Sequence, residues 1–433
     1  MRNIFFLCLL WPSVALAQPA LSLDECIRLA WEQHPSIQSG VIGIKEAQTE
    51  YVAAIGNFLP RITAHAETGK RFGRSIDPDT NGYTDKTFEE GTVGLDMTLS
   101  LFEGFSRINR VRFRKINREH AEWELKNRRN ELAYQVTDAY YKLLLERKLL
   151  QLALEQSRLS ERYLKQTEAF VELGLKSMSD MQEVKARREG DIYRYRSRAK
   201  SCRLAGLHLQ QLVNFPQGDT LVIMDTIADP GRLPLLPCPS AETLYGQSLE
   251  VMPVVRLMDL KQQAARKEYA VAGGAFAPSF YARLTVGSNF SHTLFSARQL
   301  REHMGRYVGF GISFPLLSGF ERLANQRKLK LNLHRLKQEE ALEKQQLYTD
   351  IEQTLLSLRA GYAEHQQALQ QLSAETRVLK ESERKWEEGL ISVFQLMEAR
   401  NRFISARAEL IRVRLQVEMT LKLEKYYREG TFL

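Results

Sequence analysis

The sequence predicts a mostly helical chain built from two copies of one structural unit, each with a pair of amphipathic β-strands. The first observation is a repeat. Residues 93–105 return as residues 308–320, and the Gly-Leu-x-Ser motif at 174–177 returns at 389–392, in both cases 215 positions later. The second observation is the presence of long stretches without proline or glycine, and the third is a set of four short segments in which apolar and polar residues alternate. A constant shift over this distance indicates a duplicated unit.

The first 17 residues are typical of a secretory signal. Arg2 precedes an apolar stretch at 4–16, and Ala15-Leu16-Ala17 fits a cleavage site. The stretch is too short to span a bilayer as a mature anchor. The mature chain is therefore expected to be exported.

Charge and motif content argue against nucleic-acid binding and against catalysis. The formal net charge is +9, but the basic residues lie beside Asp and Glu along helices, as on solvated helical faces. The sequence has no Gly-rich phosphate loop, HExxH motif or nucleophile elbow. We therefore predict a protein that is not an enzyme and needs no cofactor or metal. Cys26, Cys202 and Cys238 lack metal-ligand spacing, and their odd number leaves room for at most one disulfide.

Each unit contains a very long helical hairpin, predicted at 103–213 and 318–424. Residues 105–172 contain no proline or glycine. Apolar residues recur there at seven-residue steps, as in coiled coils. A helix of about 70 residues would be about 105 Å long at ~1.5 Å per residue. The Gly-Leu-x-Ser motif then turns the chain, because glycine accepts the left-handed end of one helix and serine caps the next.

Four segments alternate apolar and polar residues and are predicted as strands at 58–72, 92–102, 278–290 and 307–317. About ten residues is the length of a tilted membrane strand. A soluble half-buried sheet explains any one of them alone. Together, between very long helices in an exported chain, they favour a membrane barrel. Four strands cannot close a barrel and lipid does not tolerate open edges, so several copies are expected to pool their strands.

The chain resembles TolC-type outer membrane efflux proteins over essentially its whole length after the signal. The opening segment Leu21-Ser22-Leu23-Asp24-Glu25-Cys26-Ile27, followed by Ala30 and Pro35, and the duplicated strand-Gly-Phe and Gly-Leu-x-Ser motifs carry the resemblance. It implies a homotrimer with a twelve-stranded β-barrel in outer membrane lipid, continued by a long periplasmic α-helical coiled-coil tunnel.

The same resemblance implies a passive exit duct of a tripartite efflux or type I secretion system. Its partners would be a periplasmic membrane-fusion adaptor and an inner-membrane pump of RND, ABC or MFS type, which supplies the energy. The alternative is a soluble periplasmic coiled-coil scaffold with no channel. The sequence does not specify the cargo, because drugs, metal ions, peptides and proteins all use such ducts.

The predicted organisation places two repeats between a signal and a short tail. Its parts are a signal peptide at 1–17, a first repeat at 18–215 with helices at 22–57, a linker at 216–240, a second repeat at 241–424 with helices at 241–275, and a tail at 425–433. By resemblance, the linker and the tail form an equatorial belt around the tunnel.

The resemblance places the functional residues at the two hairpin turns. The expected adaptor-docking residues at the tunnel tip are Gly174, Leu175, Ser177, Gly389, Leu390 and Ser392. The expected periplasmic gate and selectivity residues are Glu398, Gln395, Asp180 and Trp386. Three copies of Glu398 around an axis would attract cations, although an ordinary exposed helical residue is the alternative. By the same resemblance, Asp180 would tether neighbouring helices and would meet Trp386. The position of the family's arginine partner is occupied by Ile391 here, and Lys176 is the candidate substitute for that arginine.

Overall fold

The computed structural model describes residues 20–76, 81–85, 87–216, 221–225, 233, 238–292, 301, 304–317 and 319–433. The predicted signal peptide at 1–17 and most of the predicted linker at 216–240 lie outside the described residues. The duplicated, mostly helical fold predicted from the sequence is confirmed.

Helices account for most of the described chain. They are α1 (Leu23–Gln33), α2 (Pro35–Gly56), α3 (Ser106–Glu172), α4 (Met178–Val213), α5 (Ala241–Val251), α6 (Pro253–Gly274), α7 (Glu321–Glu387) and α8 (Val393–Glu429). The long helices α3 and α7 have 67 residues each. Helix α8 runs five residues past the predicted end at 424, because Gly430, at φ 72°, supplies the left-handed cap that ends it.

A proline separates the two helices in each leading segment. The helices expected at 22–57 and 241–275 are the pairs α1–α2 and α5–α6. His34 and Met252 are extended, with ψ values of 130° and 125°. Both stand immediately before a proline, whose ring disfavours the helical conformation of the preceding residue.

The strands form one four-stranded antiparallel sheet and one small hairpin. The sheet contains β1 (Arg61–Arg71), β4 (Phe88–Glu103), β5 (Ser279–His292) and β6 (Met304–Ser313), in the order β1-β4-β5-β6. The hairpin, which the sequence analysis did not predict, pairs β2 (Ser75–Ile76) with β3 (Tyr83–Thr84). Strand β6 ends four residues before the predicted 317, because Pro315 cannot donate to the ladder.

The chain divides into two compact units. One consists of residues 1–38, 128–252 and 347–433 and holds both hairpin turns. Three side-chain hydrogen bonds to main-chain carbonyls bring its distant segments together: Asn214 Nδ2 to Gln33 at 3.1 Å, Ser248 Oγ to Tyr427 at 2.7 Å and Asn130 Nδ2 to Gly430 at 2.8 Å. Its core includes the seven-residue seam of α3, where Leu132, Val136 and Ala139 are buried.

The other unit consists of residues 39–127 and 253–346 and holds the sheet and the helices that join it. Apolar side chains on one face of β6 are largely exposed in the single chain, with Phe310 80% exposed. At the exit of β4, the buried Arg107 donates to the carbonyls of Ser100 and Asn57 and covers the Phe58 ring at 4.4 Å. One arginine therefore ties the strand end to the turn before β1.

The possible disulfide does not form, because Cys26, Cys202 and Cys238 are all free in the part of the chain that the structure describes. Burial raises the pKa of the Cys26 thiol to about 12, which makes it a poor nucleophile. In the part of the chain that the structure describes, no group of three or more His, Cys, Asp or Glu could hold a metal ion. No helix there is both long enough and apolar enough to cross a membrane.

The contact between α7 and α8 gives a test of this packing. Gly361 lies in α7, and a Cβ placed there would stand 2.6 Å from Cγ2 of the buried Val417 in α8. Alanine gains about 1 kcal/mol of helix propensity over glycine, but overpacking a tight core costs about 1 to 3 kcal/mol. We expect Gly361→Ala to lower the thermal unfolding midpoint measured by circular dichroism. In a Val417→Ala background the same substitution should be neutral or stabilising; an equal loss in both backgrounds would contradict this contact.

Candidate functional site

The first hairpin turn ends α3 with a Schellman motif. Gly174 has φ 72°, which suits a residue without Cβ. The amide of Leu175 donates to the carbonyl of Phe170 at 2.8 Å, and the amide of Gly174 donates to Val171 at 3.0 Å. These two bonds satisfy carbonyls that the end of the helix leaves free.

The second turn repeats this geometry 215 residues later. Gly389 has φ 75°, the Leu390 amide donates to Lys385 at 2.8 Å, and the Gly389 amide donates to Trp386 at 3.0 Å. The sequence repeat therefore encodes one backbone structure twice.

Both turns continue into a helix through a capping box. Ser177 and Ser392 are the N-caps of α4 and α8, and each accepts a hydrogen bond from the amide three residues on. The side chains at those third positions, Asp180 and Gln395, accept from the cap amides at 3.0 and 3.1 Å. The Ser-x-x-Asp and Ser-x-x-Gln patterns are visible in the sequence, but the sequence analysis assigned both residues only to the gate.

Asp180 is held in its ionised form by its own turn. The hydrogen bonds from the Ser177 hydroxyl and then the Ser177 amide lower its pKa, and the nearby charge of Lys176 acts in the same direction. Within one chain, the Asp180 carboxylate is therefore engaged locally. It makes no hydrogen bond to Trp386, whose indole Nε1 is buried without a partner among the described residues.

Trp386 lies in a buried cluster that joins both hairpins. The cluster contains Leu164 of α3, Val184 of α4, Trp386 of α7, and Val393, Leu396 and Met397 of α8. The indole meets the rings of Tyr163 and Phe170 at 5.3 and 5.9 Å. Ile391, at the expected arginine position, packs against the same cluster. Apolar packing thus holds the two turns side by side.

The leucines of both motifs remain in solvent in the single chain. Leu175 is 66% exposed and Leu390 is 69% exposed. Three further apolar side chains beside the turns are also largely exposed: Leu173, Met178 and Phe394. Leaving them in water forgoes about 1.5 to 3 kcal/mol for each side chain that a partner could bury fully. The two turns therefore present an apolar surface, which we call the tip patch (Leu173, Leu175, Met178, Leu390 and Phe394).

Glu398 is exposed, as expected, but it has a partner that the sequence analysis missed. Arg402, one helical turn further along α8, lies 3.5 Å from the Glu398 carboxylate and 3.7 Å from Glu375. The four-residue spacing of Glu398 and Arg402 is the signal that could have found the pair. An exposed pair contributes about 0 to 1 kcal/mol, so its main effect is to weaken the negative field of Glu398.

A buried polar network lies further along the same four helices. Asp191 of α4 is fully buried and accepts from Gln156, Ser160 and Arg194. Burial lowers the pKa of Arg400, whose guanidinium covers the Tyr163 ring at 4.7 Å. No sequence pattern singled out these residues, because their burial depends on how the helices pack.

The two capping boxes differ in charge, and this gives a pH test. Because the pKa of Asp180 is lowered in the folded state, the stability that its carboxylate gives to the turn is complete above the unfolded-state pKa of about 3.9. This stability is lost as the pH falls below that value. Gln395 does not titrate. As the pH falls below about 3.9 and through the lowered folded-state pKa of Asp180, amide hydrogen exchange around Ser177, corrected for the intrinsic rate, should accelerate relative to that around Ser392. Asp180→Asn should remove the difference; equal acceleration at both turns would count against it.

Comparison with known proteins places this geometry in a family. The family model described as "Outer membrane efflux protein" matches residues 26–191 and 244–422. Protein CyaE of Bordetella pertussis is 24% identical over 400 residues, which cover 89% of this chain and 79% of that protein.

Solved outer membrane channels share the fold. The CmeC channel of Campylobacter jejuni has a TM-score of 0.80 at 14% identity, with 94% of this chain and 85% of that chain covered. The MtrE channel of Neisseria gonorrhoeae, solved in its open state, has a TM-score of 0.71 at 18% identity, with 95% of this chain and 89% of that chain covered.

The family match spans most of both repeats. Channels of this family are trimers that work with adaptors and inner-membrane pumps. An outer membrane location replaces the alternative of a soluble periplasmic scaffold. The chain belongs to the outer membrane efflux protein family and is an outer membrane exit duct, with a periplasmic extension, of an efflux or secretion system.

Proposed function

We propose that three copies of this chain form the duct, and that the tip patch docks a periplasmic membrane-fusion adaptor. Each copy contributes a sheet of four strands, β1-β4-β5-β6. Strands β1 and β6 are the sheet edges, and lipid does not tolerate unpaired edges. Three sheets joined edge to edge make a closed barrel of twelve strands.

The single observation that carries the docking proposal is the exposure of the same leucine in both repeats. Leu175 and Leu390 occupy equivalent positions in two turns whose backbones are fixed by glycine and capped by serine. An apolar side chain on a rigid turn is suited to a partner surface, because little conformational freedom is lost on binding. In a trimer, six such turns would surround the entrance. The inner-membrane pump, of RND, ABC or MFS type, would load the duct through the adaptor.

The polar residues beside the turns fit a gate. Glu398 would contribute three carboxylates around the three-fold axis, each held by Arg402 of its own chain. Asp180 and Gln395 would position the starts of α4 and α8 through their capping boxes, and Trp386 would hold the two hairpins together. The entrance would then be opened by separating hairpins of neighbouring copies, while each hairpin pair stays packed.

The docking proposal is tested by charging the tip patch. Leu175→Asp combined with Leu390→Asp should abolish export, because the apolar contact with the adaptor is lost, while trimers still form in the outer membrane. Cargo efflux from cells and the mass of the purified protein by light scattering are the two measurements. Leu175→Met with Leu390→Met retains the apolar surface and should export normally. Normal export by the Asp variant would mean that these turns are not the docking surface.

The selectivity proposal is tested by changing charge on α8 in both directions. Glu398→Lys reverses the sign of the three-fold ring, so single-channel recordings in a planar bilayer should show a weaker cation preference. Arg402→Gln frees the Glu398 carboxylate from its cation and should strengthen the preference. The effects should fall at high salt, because screening shortens the range of the field. Unchanged ion selectivity in both variants would place the ring elsewhere.

A further inference from the structure

The duplication provides two equivalent grooves in the unit that holds the sheet, and the second contains an open cleft. The first lies between α2 and α3, and the second lies between α6 and α7. Tyr51 of the first groove corresponds to Tyr269 of the second, and Lys115 corresponds to Lys330. The grooves therefore share a tyrosine and a lysine but differ in what lies between them.

In the first groove, Arg118 fills the space. Its guanidinium lies 5.4 Å from the centre of the Tyr51 ring, donates to Gln48 Oε1 at 3.0 Å and lies 3.7 Å from Glu122. Glu119 is paired with Arg256 at 2.8 Å. The charges of this groove are thus largely neutralised within the chain.

In the second groove, Leu333 stands where Arg118 stands in the first, and the space is open. A cleft of about 380 Å³ remains there. The residues that line it are Gln262, Arg266, Tyr269, Lys330, Leu333, His334 and Lys337. Its volume is in the range of small-ligand sites.

The open groove is also strongly basic. Gln48, Glu119 and Glu122 of the first groove are replaced by Arg266, His334 and Lys337. No carboxylate is among the residues that line the cleft. The nearby Glu340 pairs with Lys344 at 2.6 Å, accepts a hydrogen bond from Gln262 and also interacts electrostatically with Arg266.

From this contrast we infer that the cleft between α6 and α7 binds a phosphoryl group. Three cations converge on one space, and the planar fork of Arg266 suits bidentate contact with phosphate oxygens. Tyr269 and Gln262 add hydrogen-bond donors, and Leu333 offers apolar surface for the carbon atoms that carry the phosphate.

Two sources could supply this phosphoryl group. Helix α6 ends at Gly274 and β5 begins at Ser279, so Arg266 lies about 12 Å along the helix from its sheet end. If β5 enters the membrane as in the proposed barrel, an inner-leaflet phospholipid headgroup is within reach. A free phosphorylated compound has the same chemistry without that requirement.

The test titrates the purified full-length protein in a phosphate-free detergent at low salt. Inorganic phosphate and short-chain dihexanoyl phosphatidylglycerol are the probes, and binding is measured by calorimetry and by ³¹P line broadening. Saturable binding of both is expected. Lipid binding about tenfold tighter than phosphate identifies a headgroup site, and equal binding identifies a free phosphorylated ligand. Absence of saturable binding of either probe overturns the proposal.

Variants separate a built cleft from general surface charge. Leu333→Arg adds a positive charge but copies the residue that fills the first groove, so it should weaken binding about tenfold. Arg266→Gln copies the residue of the first groove and should weaken binding by a similar factor. Lys330→Gln should weaken binding, whereas the matched Lys115→Gln should leave it unchanged.

Two results of these variant measurements would contradict a phosphoryl site in the cleft. Tighter phosphate binding by Leu333→Arg, or equal losses in Lys115→Gln and Lys330→Gln, would mean that only diffuse charge is involved and would overturn the proposal. Circular dichroism and trimer size check the fold, and Arg266→Gln decides the question if Leu333→Arg does not fold. Because binding is measured without adaptor or pump, failure here is distinguishable from failure of the docking proposal.

Discussion

The constraint on which the rest of the structure depends is the turn that converts a strand into a long helix. Gly104 and Phe105 both have positive φ, at 57° and 63°, and Gly319 and Phe320 repeat this at 56° and 65°. A non-glycine residue in this region costs about 1 to 2 kcal/mol. The chain accepts this cost twice, at the same point of both repeats. The turn sets the direction in which the long helix leaves the strand that precedes it.

Contacts around the first turn offset this strain. A Cβ at Gly104 would stand 2.5 Å from the carbonyl oxygen of Gly274, so glycine is required there for close packing as well as for its conformation. Arg107, in the first turn of α3, holds the carbonyls of Ser100 and Asn57. Its five donors allow one buried side chain to satisfy two segments at once. At the second turn, a Cβ at Gly319 would meet no atom of the described residues within 4 Å, so the Gly104 contact is not repeated there.

Sequence periodicity predicted the long helices and the strands of the sheet, but it predicted neither the β2–β3 hairpin nor the contacts between elements. The seven-residue seam predicted the long helices, and strict alternation predicted the strands. The break at His34 was also readable, since the residue before a proline avoids the helical region. The hydrogen bond of Asp180 to its own turn follows the capping-box pattern, and the pairing of Arg402 with Glu398 follows the four-residue spacing of opposite charges on a helix. Both patterns are visible in the sequence, but the functional interpretation did not use them. The full burial of Asp191 could not be predicted, because it depends on four helices meeting, and no local pattern encodes that.

The equal lengths of α3 and α7 limit how such a protein can change over evolutionary time. Each has 67 residues, and their far ends share one cluster through Leu164 and Trp386. Inserting one residue would turn everything beyond it by about 100° around the helix axis and remove the seam from its neighbour. Inserting seven restores the phase to within about 20°. Lineages with longer or shorter ducts should therefore differ by matched steps of seven residues in both arms of both hairpins, two in each half of the gene.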